Sequence, residues 1–165
     1  MAVRPAGPVS ERRRERLADL LIIAGAIALF VSLFLPWSHQ FSAAFLAQWG
    51  SSDQLRGVPH SPNAWQLYST ADVVLALLAG ALVAVALRGN RSVRIVAVLA
   101  AAIALAFTLH ALSVPPTNGA NIFDPSSDAY ALNSPAAAVG VTVAIAGLGT
   151  ALVGLALSFT AEWGQ

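Results

Sequence analysis

From Leu20 to Ser38 the chain runs for 19 residues without one charged side chain, and long apolar runs recur at Trp65–Leu87, Ile95–Val114 and Ala136–Phe159. A helix of about 18 such residues crosses the ~30 Å hydrocarbon core of a bilayer. Lipid, not water, is therefore the expected solvent for most of the chain. Composition agrees: 57% of residues are hydrophobic and 10% charged, against roughly 25% charged in ordinary soluble domains. The expectation is a single all-α membrane domain, a four-transmembrane-helix antiparallel bundle that leaves no room for a soluble catalytic domain.

The predicted layout is a cytoplasmic tail over 1–16, a first span over 17–37, an outer loop over 38–64 and a second span over 65–87. A cytoplasmic loop follows at 88–94, then a third span at 95–114, an outer loop at 115–135, a fourth span at 136–159 and a cytoplasmic tail at 160–165. Orientation follows from arginine, because basic residues in short loops stay in the cytoplasm. With the N-terminus inside, Arg4, Arg12, Arg13, Arg14, Arg16, Arg88, Arg91 and Arg94 are cytoplasmic and only Arg56 is outside. Both ends are then expected inside. The first span exceeds the roughly 7–15 apolar residues of a signal-peptide core and lacks a small-x-small cleavage site, so it is expected to be retained. Pro135 is placed at the start of the fourth span, where a missing amide proton costs nothing. Trp37, Trp65 and Trp163 fall at predicted helix ends, where indoles favour the headgroup layer.

The chain has no cysteine, which excludes disulfide scaffolds, thiolate metal sites and the membrane thiol oxidoreductases. All basic residues are arginine, a composition that fits a GC-rich genome. In the outer loop, Phe41, Phe45 and Trp49 recur at intervals of four, on one face of a short helix or as loop aromatics capping the core. Helix association in lipid relies on close contact through small residues. Candidate stripes are Ala24 and Ala28; Ala76, Gly80 and Ala84; Ala97 and Ala101; and Ala136, Gly140 and Ala144. Gly147-Leu148-Gly149 has no preceding strand and reads as packing, not as a phosphate loop.

Ionisable side chains inside a span are costly and stand out as functional candidates. Asp72 lies 16 positions before Arg88 and His110 lies 16 after Arg94, which places both about 24 Å above the cytoplasmic arginines. Ser32 and Thr142 come to nearly the same depth, so each span offers one polar group to an outer layer, flanked by Trp37 and Trp65. Asp72 and His110 can pair there or share a proton. Alternatively, Ser69-x-x-Asp72 is a helix-start capping box, and His110 is an interfacial histidine bonded to a loop. Asp19 is placed at the cytoplasmic edge, solvated or reaching Arg16. His39, His60 and Asp53 fall in the outer loop, where a metal site built from them would need a fold that the sequence does not supply, and Asp124 with Asp128 could bind calcium through loop carbonyls but lacks the remaining ligand spacing. No metal, cofactor or catalytic residue is expected.

Leu35-Pro36-Trp37 at the end of the first span, and Asn63-Ala64-Trp65-Gln66 followed by Asp72 at the start of the second, resemble a pattern in small, uncharacterised four-helix membrane proteins of actinobacteria. The resemblance implies the helical frame and a bacterial plasma membrane, and carries over no activity. It adds weight to Trp37, Trp65 and Asp72, and none to His110.

No nucleophile–base pair, phosphate loop or ligand cluster is present. The expected function is non-enzymatic: assembly in the lipid bilayer with further copies or with a larger membrane complex, and no nucleic-acid partner. The alternatives are a transporter or channel subunit, an outward-facing ligand-binding module lined by Asp72, His110, Trp37 and Trp65, and a membrane enzyme acting through Asp72 and His110.

Overall fold

The structure is a computed structural model that describes residues 8–68, 70–117, 133 and 135–162. Helices dominate. In chain order they are α1 (Pro8–Ser32), α2 (Ala43–Trp49), α3 (Ala64–Leu67), α4 (Ala71–Arg88), α5 (Arg91–Ser113) and α6 (Val139–Glu162), with two short strands, β1 (Ser38–His39) and β2 (Ala136–Ala137). The stretches Ala71–Arg88, Arg91–Ser113 and Val139–Thr160 are long and apolar enough to cross a membrane. Helix α1 is as long, and carries Glu15, Arg16 and Asp19 within its length.

Several element limits differ from those expected, each for a local reason. Helix α1 starts already at Pro8, within the arginine-rich tail. It ends at Ser32, and the following turn tightens through bonds from Leu33 N to Phe30 O, Phe34 N to Val31 O and Leu35 N to Ser32 O before Pro36 stops it. Trp65 does not open the second long helix. Asn63 and Gln66 form a reciprocal capping box that starts one helical turn, α3; Tyr68 then turns extended, and α4 begins at Ala71. Helix α5 starts at Arg91 behind Asn90, whose side chain accepts from Val93 N at 3.0 Å. Only Gly89 and Asn90 separate α4 from α5. Pro135 is not the first residue of a helix: Ala136 and Ala137 are extended, and α6 starts at Val139.

The closest packing is between α1 and α6, which run antiparallel. Gly140, Gly147 and Gly154 recur every seven residues, each followed four positions on by Ala144, Ala151 or Ser158, and all six are buried. A seven-residue repeat keeps such positions on one seam. A Cβ on Gly147 would stand 2.8 Å from Gly25 O and 2.9 Å from Leu29 N, and one on Gly154 would stand 2.7 Å from Ala18 O. The backbones meet with nothing between them. On α1 the facing residues Ala18, Ile22, Gly25, Leu29 and Ser32 follow the same alternation of four and three and are buried. Helix α4 packs on α1, and α5 on α6.

The small-residue stripes on α1 and α4 hold only in part: Ala28 stands against Gly147 and Ala76 packs on the core, but the other members do not. Ala24, Gly80 and Ala84 are exposed, and nothing lies within 4 Å of a Cβ on Gly80. Helix α4 instead buries Asp72, Leu75, Ala79, Leu82 and Val85. Ala97, Ala101, Gly140 and Ala144 are buried, and Ala136 lies in β2. The interior is thus rich in alanine and glycine, while bulky side chains point outward: Leu77 is 69% and Ile103 71% exposed. A water-soluble helix would bury those residues; a lipid-facing one presents them.

At one end of the helices the chain builds a cap. Residues 36–40 lie between two other extended segments. On one side β1 pairs antiparallel with β2, Ser38 against Ala137 and His39 against Ala136. On the other, Trp37 N donates to Pro62 O at 2.9 Å, Gln40 N donates to His60 O at 3.0 Å, and Pro36 bridges Asn63. Phe41 stacks on Phe45 at 5.1 Å and 12°, and together with Leu55 they form a separate apolar cluster flanked by Leu46, Trp49 and Val58. The aromatics spaced by four thus meet around a helix, α2, and Phe45 is fully buried.

Candidate functional site

The expected polar layer does not assemble as one cavity. Asp72 is 3% exposed, and its Oδ1 accepts from Val73 N at 2.8 Å. Val73 is in the first turn of α4, where amide protons lack helical acceptors, so the carboxylate caps its own helix. Thr70 is the residue before the helix and makes no side-chain cap bond; Ser69, the other half of the expected box, lies outside the described residues. His110 is exposed on α5, and its imidazole has no hydrogen bond or ion pair among the described residues. Among the described residues Asp72 and His110 make no pair; most of the loop to which His110 was expected to bond lies outside them.

The polar residue that α5 turns inward is Thr108, fully buried and donating to Leu105 O at 3.0 Å. Two residues separate it from His110, a difference in height of about 3 Å and in bearing of about 160°. Ser32 is buried and donates to Leu29 O at 2.6 Å. Thr142 is exposed and donates to Val139 O at 2.8 Å, while its neighbour Val141 faces the core. Each hydroxyl is satisfied by the carbonyl three residues back in its own helix and needs no water.

Trp37 is fully buried, not interfacial. Its Nε1 donates to Ser32 O at 2.8 Å, its ring meets Tyr68 edge-on at 5.8 Å, and its Cδ1 would stand 2.5 Å from a Cβ on Gly140. Tyr68 in turn meets Phe107 at 5.4 Å. Trp65 is 40% exposed beside Phe34, with ring centres 5.9 Å apart. Leu-Pro-Trp and Asn-Ala-Trp-Gln, the two motifs that carried the family resemblance, therefore meet in space: Pro36 bridges Asn63, and Ala64 is buried in the same apolar cluster as Trp37. Their shared work is to fasten the cap to the helix ends.

At the opposite end, Asp19 lies 4.0 Å from Arg94 and not against Arg16. In the cap, Asp53 is taken by Arg56 at 2.7 Å. Among the described residues no group of three His, Asp or Glu side chains is arranged to hold a metal. Asp124, Asp128 and Trp163 lie outside the described residues.

Two features were not anticipated from the sequence. One is an apolar groove of about 570 Å³ where α4 and α5 diverge, lined by residues such as Val74, Leu78, Ile103 and Phe107. The other is a cleft of about 440 Å³ in the cap, lined by His39, Phe41, Ser42, Ala43, Leu46, His60, Ser61 and Ala136. Here His39 Nδ1 is 2.9 Å from Ser61 Oγ, and His60 packs edge-on to Phe41 at 5.7 Å and 87°. The only sequence signal for it was the presence of two histidines in one outer segment. Comparison with protein-family models, with curated proteins and with solved structures finds no match. The structure defines the class: a helical protein with three helices fit to cross a membrane and a folded cap at one end.

Proposed function

We propose that the chain is a non-enzymatic, multi-pass protein of the bacterial plasma membrane, with α1, α4, α5 and α6 as four spans, both ends cytoplasmic, and the cap outside as a surface for assembly. The arginines at 12–16 and 88–94 support the orientation, because they flank the helix ends remote from the cap. The single observation that carries the assembly reading is the construction of the cap. It has its own apolar cluster around Phe45 and is hydrogen-bonded on both sides of residues 36–40, so it presents one fixed surface to a partner. Preorganisation of this kind lowers the ordering cost of association. Transporter, ligand-pocket and enzyme readings all require Asp72 and His110 in one wet cavity, and the geometry lends them no support.

The test is native electrophoresis of membranes carrying the wild-type chain or Phe45→Ala, with a reporter after Gln165 to read orientation. Wild type is expected in an assembly larger than one chain, in further copies or with another membrane protein. Phe45→Ala is expected to insert normally and to leave that assembly. A wild-type chain that migrates alone, or a variant that stays in the complex, overturns the assembly role; a reporter active only outside overturns the orientation.

A further inference from the structure

We propose that the cap cleft binds one borderline divalent transition-metal ion, zinc(II) or copper(II), through the imidazoles of His39 and His60. The site goes beyond an assembly role and stands whatever partner the cap meets. The two histidines are on neighbouring antiparallel segments, joined where Gln40 N donates to His60 O, and side chains across such a pair start about 5 to 8 Å apart. Both rings are exposed and line the same cleft.

Each ring is also held by a neighbour. A ligating histidine characteristically donates its second ring N–H to an oxygen, which fixes the tautomer and raises the basicity of the other nitrogen. The contact of His39 Nδ1 with Ser61 Oγ at 2.9 Å offers that oxygen, and in the tautomer whose Nδ1 donates to it Nε2 carries the lone pair. His60 is steadied against Phe41, itself stacked on the buried Phe45. Imidazole donors select zinc, copper and nickel over calcium and magnesium, and no carboxylate lines the cleft. The cap's Asp53 is engaged by Arg56. With two protein ligands the ion keeps open positions for water or for a donor from a partner.

The experiment titrates zinc into the full chain, purified in detergent without a polyhistidine tag, by calorimetry. One ion per chain is expected to bind at about pH 7.5. Ser61→Ala is expected to weaken binding about tenfold, and His39→Ala or His60→Ala by more than the roughly 10–100-fold typical of losing an outer-shell neighbour. His110→Ala, which leaves the cleft intact, is expected to bind as wild type does. Copper(II) spectra should report two nitrogen ligands in the wild type and one in each cleft variant. A His39→Ala/His60→Ala chain with wild-type affinity, or a wild type that takes up no zinc at millimolar concentration, overturns the site. If a histidine variant melts early, the wild type decides: one ion per chain with two nitrogen ligands supports the site, and any other result refutes it.

Discussion

Gly25 and Gly147 meet backbone against backbone where α1 crosses α6, each occupying the space that a side chain on the other would need. Gly25→Ala puts a methyl group into the Gly147 carbonyl and 2.6 Å from Ala151 N. Overpacking of this kind costs about 1–3 kcal/mol, more than the ~1 kcal/mol that alanine gains over glycine in a helix. A lower thermal midpoint in detergent is expected for Gly25→Ala. Gly80→Ala, facing open space, should leave the midpoint unchanged or raise it. Equal effects at the two positions would place the seam elsewhere.

Asp72 and His110 are expected to respond independently. Asp72→Asn keeps an oxygen for the Val73 amide, so the loss should stay near or below the ~1 kcal/mol of a helix cap. His110→Ala should fall within about 0.5 kcal/mol, as exposed substitutions do. The double substitution should equal their sum. A coupling well above 0.5 kcal/mol in a denaturation cycle would mean that the two side chains meet after all.

Trp37→Phe removes the indole donor from Ser32 O while retaining an aromatic ring beneath Gly140. A cost of about 1 kcal/mol is expected from the lost hydrogen bond, whereas Trp37→Ala should cost about 3–5 kcal/mol through the cavity it leaves. Near-equal melting of the two variants would show that the hydrogen bond, not the ring, secures the cap.

The absence of cysteine allows accessibility to be read one position at a time. Single cysteines at 32, 72 and 108 are expected to resist a water-soluble thiol reagent in intact cells, because these side chains are buried. Cysteines at 39 and 48, exposed in the cap, should react if the cap lies outside. Labelling at 72 and 108 would reveal a water-filled interior and revive the transport reading.

The apolar spans were legible because lipid imposes one rule on every residue between Ile95 and Val114, and no tertiary contact is needed to apply it. Depth was legible too, since rise per residue is fixed. Bearing was not. His110 and Thr108 differ little in height, and which of them turns inward depends on how α5 packs against its neighbours. The small-residue stripes on α1 and α4 held only at Ala28 and Ala76 for the same reason: a spacing of four names a face but not its neighbour. The breaks at Tyr68 and at Ala136 were hidden because they depend on partners far away in the chain. Tyr68 turns extended where its ring meets Trp37 and Phe107, and Ala136 is extended where it pairs with His39. The histidine cleft was out of reach for that reason as well; its orienting partner, Ser61, is 22 residues from His39.

The pairing of Ser38 with Ala137 joins residues 99 positions apart. At roughly 5–20 residues per second, the ribosome needs about 5–20 s to supply the second strand after the first. During that interval residues 36–40 have one edge unpaired, and α1 lacks the glycine seam that will hold it. The cap can therefore close only once the chain has been made as far as β2, at the threshold of its last helix, which places cap closure late in the folding of the chain.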